Sequence, residues 1–200
     1  MIIVDLETSG VDFCRCGIWQ IGAMDFKTKE EFFGECRIDD DDIIEQEALR
    51  VIGKTEKYLR AGKESQKDLL NRFFKWCKKS NTKNFMCENP NFDVSFLEIK
   101  AKKYDLKFPF HHRAFDLHSA SCLKYLQVHG KFKIKDNKSN LGLSNTLKFC
   151  GMKDNRKFHN ALEDVRLTAE CFSRIFFGKN LLKEYGKYPV PEYLKLRKTY

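Results

Sequence analysis

The stretch IIVDLETSG, residues 2–10, decides how the rest of this chain reads. Ile2, Ile3 and Val4 form a continuous apolar run, the pattern of a strand covered on both faces. Thr8, Ser9 and Gly10 are turn formers, so the strand ends there. At its end stand Asp5 and Glu7. Side chains two apart on a strand share a face, which sets two carboxylates side by side and partly out of water. Like charges held that close repel and raise one another's pKa. The arrangement needs a cation, and either a basic side chain or a metal could supply it.

Outward from this strand, IWQIGAMDF (18–26) and EFFGECRI (31–38) read as an antiparallel hairpin lying beside it. EQEALRVIG and the basic stretch that runs to Lys63 predict short helices. KDLLNRFFKWCKK (67–79) carries Leu69, Leu70, Phe73, Phe74 and Trp76 at helical spacing. NFMC (84–87) reads as a short strand, followed by a helix from about Asn91 to Tyr104 with Phe92, Phe96 and Ile99 on its apolar face. AFDL (114–117) is another strand, leading to a helix through Val128 and a polar, lysine-rich loop from His129 to Asn140. LSNTLKFCG (143–151) is a short helix closed by Gly151. The last helix starts near Asn160, with Leu162, Val165, Ala169, Phe172 and Phe176 along one stripe. Three strands together, then helix and strand in alternation, predict an α/β fold: a ribonuclease-H-like mixed sheet flanked by helices.

With 200 residues the chain is long enough for a proper core, and its 42% hydrophobic and 32% charged residues are those of a soluble globular protein. No apolar run approaches bilayer length, and a first strand beginning at Ile2 argues against a cleavable signal. The eight cysteines are scattered, and Cys14-Arg15-Cys16 lacks the spacing of a zinc site. They read as reduced thiols, which sets the expectation of a cytoplasmic protein without a membrane. A net charge of +9 favours a polyanionic partner, nucleic acid first.

Two further acids stand out. In ENPNFDVSFL, Asp93 falls at a helix start, and in HNALEDVRLTAECF, Asp164 falls in the first turns of the last helix. Ala161, Leu162 and Val165 around Asp164 are core types, so its carboxylate faces inward or into a cleft. Inward carboxylates are rare unless paired or bound to a metal. His159 precedes Asp164 by five residues on a loop, and Asn160 with Glu163 forms a capping-box pattern.

The set D-x-E (Asp5, Glu7), N-x-x-F-D (Asn89, Phe92, Asp93) and H-x-x-x-x-D (His159, Asp164), in that order, resembles the DEDDh family of 3′–5′ exonucleases, which includes epsilon-type proofreading subunits, ribonuclease T and oligoribonuclease. The resemblance runs from about Ile2 to Phe177 and takes in WQIGA (19–23) and ALRVIGKT (48–55). It implies a metal-dependent 3′–5′ exonuclease that hydrolyses phosphodiester bonds at single-stranded DNA or RNA 3′ ends and releases nucleoside 5′-monophosphates. It also implies two Mg²⁺ or Mn²⁺ ions held by Asp5, Glu7, Asp93 and Asp164. Asp5 would touch both ions, Glu7 and Asp164 the one that carries the attacking water, and Asp93 the other. His159, placed outside the carboxylate shell, would take the proton from that water, and Thr8 and Asn89 would contact substrate. The exonuclease domain is then residues 1–178, with 179–200 a basic extension packed on or trailing it. A homodimer or a polymerase partner is left open. Where the family often has His-Asn this chain has Glu88-Asn89, which bears on end recognition and leaves the four carboxylates intact.

Each residue alone has a structural reading: a strand-end ion pair for Asp5 and Glu7, helix N-terminal charge for Asp93 and Asp164, a surface loop for His159. Jointly those readings fail. The alternative from another class is a catalytically silent nuclease-like module that binds nucleic acid within a polymerase or repair complex, and the intact acidic set argues against it. Asp39–Asp42 lacks the glycine and fifth-position oxygen of a calcium loop and reads as solvated. His111, His112, His118 and His129 share no metal-ligand spacing. Phe13, in the turn, is a candidate for stacking on a terminal base, while Trp19 suits the core. The tail lysines, with Lys131, Lys133, Lys135 and Lys138, read equally as a phosphate track or a solvated face.

Overall fold

The apolar run at the start of the chain forms β1 (Ile2–Thr8) at the middle of a six-stranded sheet. The chain continues through β2 (Ile18–Asp25), β3 (Glu31–Arg37), α1 (Gln46–Ile52), α2 (Glu56–Arg60) and β4 (Glu64–Ser65). Next come α3 (Gln66–Cys77), β5 (Phe85–Cys87), α4 (Pro90–Lys103), β6 (Ala114–Asp116) and α5 (Leu117–His129). A small hairpin, β7 (Ile134–Lys135) with β8 (Lys138–Ser139), precedes α6 (Leu143–Phe149) and α7 (Ala161–Phe177). The computed structural model describes residues 1–61, 64–80 and 82–195.

The strand order is β4-β3-β2-β1-β5-β6. β1 runs antiparallel to β2 and parallel to β5, and β2 runs antiparallel to β3, so the sheet is mixed as the sequence predicts. Alternation along β1 divides its side chains between two faces. Ile2, Val4 and Leu6 enter a core with Leu69, Phe73 and Phe74 from α3 and Phe96 and Leu97 from α4. The opposite face carries Asp5 and Glu7. Cross-strand partners share a face, and the register pairs Asp5 with Gly22 and Glu7 with Gln20. The β1–β2 ladder shifts register between Glu7 and Thr8, where the strand leaves the sheet.

The chain divides into two units: Met1–Phe115 with Lys157–Val165, and Asp116–Arg156 with Arg166 onward. In the first, Trp19 is buried with Ile38, Ile52 and Leu59, the core role expected of it. In the second, the buried Arg174 guanidinium donates to Glu170 and to the carbonyls of Cys150, Tyr185 and Tyr188. The other Glu170 oxygen accepts from the backbone N–H groups of Leu181 and Leu182. This pair ties the segment after α7 down, while Lys179, Lys183, Lys187 and Lys195 stay exposed on it. Arg197 and Lys198 lie outside the described residues.

Three expectations need correction. The loop His129–Asn140 contains the β7–β8 hairpin, turned by Asp136 and Asn137 at φ 50° and 58°. Asp and Asn tolerate that left-handed conformation, a turn signal hidden among lysines. The inner face of α4 is Asp93, Phe96, Leu97 and Lys100 rather than Phe92, Phe96 and Ile99. The acidic run at 39–42 is also not a solvated loop. Asp42 is 4% exposed and pairs with Lys100, itself 2% exposed, at 2.5 Å, and it also accepts from Gln66. Asp39 and Asp41 pair with Lys103 at 2.7 and 2.9 Å. Three of the four acids therefore clamp the second half of α4, whose first turn carries Asp93.

Among the described residues no helix is long and apolar enough to cross a membrane. All eight cysteines are free thiols: Cys14 is exposed, Cys122 half-buried and the other six buried.

Candidate active site

Asp5 and Glu7 sit where β1 runs out of partners on one side. β5 pairs with β1 only as far as Met86 opposite Ile3. Past that point Asp93 takes over, its Oδ1 accepting from the Leu6 backbone N–H at 3.1 Å. α4 delivers Asp93 because of how it starts. Asn89 adopts a left-handed φ of 65°, Pro90 occupies the first helical position, and Asp93 follows in the first turn.

On the other side, α7 approaches the face bearing the two acids through its first turn. The Ala161 N–H donates to the Gln20 Oε1 at 2.8 Å, so a β2 side chain satisfies one of the helix's open donors. Asn160 Oδ1 accepts from Glu163 N–H at 3.1 Å, as the capping pattern predicts. Gly22 allows the approach: a Cβ there would stand 2.3 Å from the Ala161 carbonyl carbon and 2.5 Å from its oxygen. Asp164, one turn further on, is 3% exposed and points at the cluster.

A nitrogen of His159 and one carboxylate oxygen each from Glu7 and Asp164 lie within 4.8 Å of one another. His159 Nδ1 is 3.4 Å from Asp164 Oδ2, with half the imidazole exposed. The histidine expected outside the carboxylate shell thus stands within the cluster, on the solvent side. Glu7 is 6% exposed, and Asp5 is partly buried two residues back on the same strand face. Burial pushes the Asp93 carboxyl up to about 7, and the charge of Glu88 adds to that, against hydrogen bonds from Cys87 and from the backbone of Asp93 and Leu6. Two carboxylate oxygens and an imidazole nitrogen this close together, with Asp5 on the same strand face, suit Mg²⁺ or Mn²⁺. The donor set therefore fits divalent cations.

Next to the cluster opens a cavity of about 410 Å³, lined by Leu6, Glu7, Thr8, Val11, Phe92 and His159 on the cluster side and by residues of α1 opposite. Thr8 is placed there as the sequence suggests, its hydroxyl held by the Gly10 carbonyl at 2.7 Å. Phe13 does not line this cavity; it packs edge-on against Phe96 with ring centres 6.4 Å apart. Phe92, which the sequence places on the apolar face of α4, supplies the aromatic wall. Asn89 is exposed at the head of α4 and outside the cavity lining.

No curated protein sequence matches this chain significantly. Solved structures do. Escherichia coli exonuclease I in complex with a dT13 oligonucleotide superposes with a TM-score of 0.69 at 19% identity, over 86% of this chain and 40% of that one. A structure of exonuclease I described as suggesting how processivity is achieved gives 0.70 at 18% identity, over 86% and 40%. The zinc-bound form of the E. coli enzyme with single-stranded DNA gives 0.68 at 18%, over 84% and 38%. At those identities the likeness is one of fold, and this chain spans about 40% of the length of those proteins. The family model described as Exonuclease, RNase_T, matches residues 2–172. That match over most of the chain, on a mixed six-stranded sheet, places this chain in the RNase_T exonuclease family.

Proposed function

We propose that this protein is a metal-dependent 3′–5′ exonuclease acting on single-stranded nucleic-acid ends, DNA first, and releasing nucleoside 5′-monophosphates. The observation that carries this reading is the convergence of Glu7, Asp164 and His159 within 4.8 Å beside a cavity of about 410 Å³. Asp5, Glu7, Asp93 and Asp164 would hold two divalent ions, Mg²⁺ or Mn²⁺, which would supply Lewis-acid stabilisation to an in-line displacement at phosphorus.

The chain's own residues do the rest. The cavity is of small-ligand size and mostly apolar, so it takes the terminal nucleoside, with Phe92 and Val11 against the base and Thr8 on the sugar side. His159, half exposed at the edge of the cluster, accepts the proton of the attacking water, a task an imidazole can perform as a general base. A proton on Nδ1 directed at Asp164 Oδ2 leaves Nε2 as the accepting atom.

A 5′-labelled oligonucleotide, as DNA and as RNA, incubated with Mg²⁺ and with EDTA, tests the reading. A descending ladder that needs metal and a free 3′-hydroxyl is the expected result. Internal cuts in a circular single strand would contradict it. Binding without any cleavage would leave a silent nucleic-acid-binding module instead.

A further inference from the structure

We propose that the first unit carries a second nucleic-acid contact, away from the carboxylates, which takes an upstream part of the same single strand. It rests on the exonuclease reading for its substrate. The site is a cleft of about 540 Å³ lined by Lys83, Asn84, His111, Arg113, Ala114 and Phe115. Two cations and a histidine line it without a carboxylate among them. Phe115 is 46% exposed on β6, the edge strand of the sheet, and the small Ala114 beside it leaves the floor open. The rings of His111 and His112 lie 3.9 Å apart, tilted by 39° to one another, next to the cations.

The cleft is held in shape by backbone bonds. His111 N–H donates to the Lys83 carbonyl at 3.0 Å, and Arg113 N–H to His111 Nδ1 at 3.3 Å. These bonds set Lys83 and Arg113 on neighbouring segments before any ligand arrives. Cations interleaved with exposed aromatic faces are the chemistry of single-strand binding: phosphates on the charges, bases on the rings. An acidic peptide would satisfy the charges and leave the rings unused.

The openness of the cleft decides between a strand and a free nucleotide. Every lining residue is exposed, whereas a pocket for a free small molecule buries most of it. A contact this open gains its affinity from being tethered to an end already held elsewhere. The tether length follows from the sheet. Ile2 N–H donates to the Asn84 carbonyl at 2.9 Å, so the cleft is level with the start of β1. Glu7 lies five residues further, about 17 Å at a strand's rise, and β6 stands two strand spacings, about 10 Å, to the side, a separation of about 20 Å. A stacked strand at about 3.4 Å per nucleotide covers that in about six nucleotides.

The test pairs Lys83→Ala/Arg113→Ala with Phe115→Ala on an oligothymidylate of about 20 nucleotides and on a dinucleotide. In EDTA, the double variant should bind the long strand about tenfold more weakly, and its salt slope should fall by about 1.4, two phosphates at about 0.7 each. Phe115→Ala should weaken binding about fivefold or more with the slope unchanged. Dinucleotide hydrolysis with Mg²⁺ should stay at the wild-type rate in both. An unchanged affinity and slope for the long strand would overturn the proposal, as would an equal loss on both substrates. Wild-type protein that cleaves neither length would refute the exonuclease reading instead, and the binding measurements would still decide the cleft.

Discussion

Gly22→Ala adds one methyl group and should disable the site. The added Cβ would lie 2.3 Å from the carbonyl carbon of Ala161 and 2.5 Å from its oxygen and from the Leu162 nitrogen. Ordinary carbon contacts begin near 3.4 Å, so α7 must retreat from β2 by about 1 Å, because backbone atoms cannot rotate aside as a flexible side chain would. That retreat lengthens the 2.8 Å bond from Ala161 N–H to Gln20. It also carries Asp164 away from Glu7, since both belong to the cluster that spans the β1–α7 gap. A misplacement of about 1 Å costs on the order of 10²-fold in turnover, and overpacking costs about 1–3 kcal/mol in stability. Steady-state hydrolysis of an oligonucleotide at saturating Mg²⁺, together with a thermal melt, reads both. Gly142→Ala is the control, because a Cβ there meets nothing within 4 Å. If Gly22→Ala turns over at the wild-type rate, the close approach of α7 to β2 does not hold the site together.

Asp164→Ala should abolish divalent-dependent cleavage and weaken metal binding, whereas His159→Ala should lower turnover about 10²–10⁴-fold with metal affinity kept, as calorimetric Mn²⁺ titration of both would show. Equal losses of metal affinity in the two variants would make the histidine a ligand. Because burial raises Asp93 to about 7, its contribution to metal-free stability is fully present below about pH 4 and lost as pH rises through 7. Asp93→Asn, which can still accept from Leu6 N–H, should thus gain on wild type by up to about 4 kcal/mol between pH 4 and pH 8 in urea melts, and a constant difference would refute this. Lys100→Met should cost about 3–5 kcal/mol, because it strands the buried Asp42 carboxylate. A chemical melt that matches wild type would show that the pair does not clamp α4.

The parts of this molecule legible in its sequence are those where one residue type has one physical use. A continuous apolar run ending in two acids reads as a buried strand with a site at its end, and Asp164 among core types reads as inward. The buried strand and the inward Asp164 stand as expected. What escaped the sequence depends on partners far along the chain. Its residue type does not mark Lys100 as buried, since lysine on a helix normally snorkels to water. Its pairing with Asp42, 58 positions away, turns an apparent solvated run into a clamp. A still longer separation hid Gln20 as the acceptor for Ala161, 141 positions on. A signal for Lys100 did exist. It lies seven residues after Asp93, with Phe96 and Leu97 between them at helical spacing, so an inward Asp93 requires an inward Lys100. A buried cation then requires a buried anion. The nearby candidates are few, and the acidic run at 39–42 is the densest of them. Assigning the face of α4 from its charges rather than its phenylalanines would have led from the candidate metal ligand to the clamp that positions it.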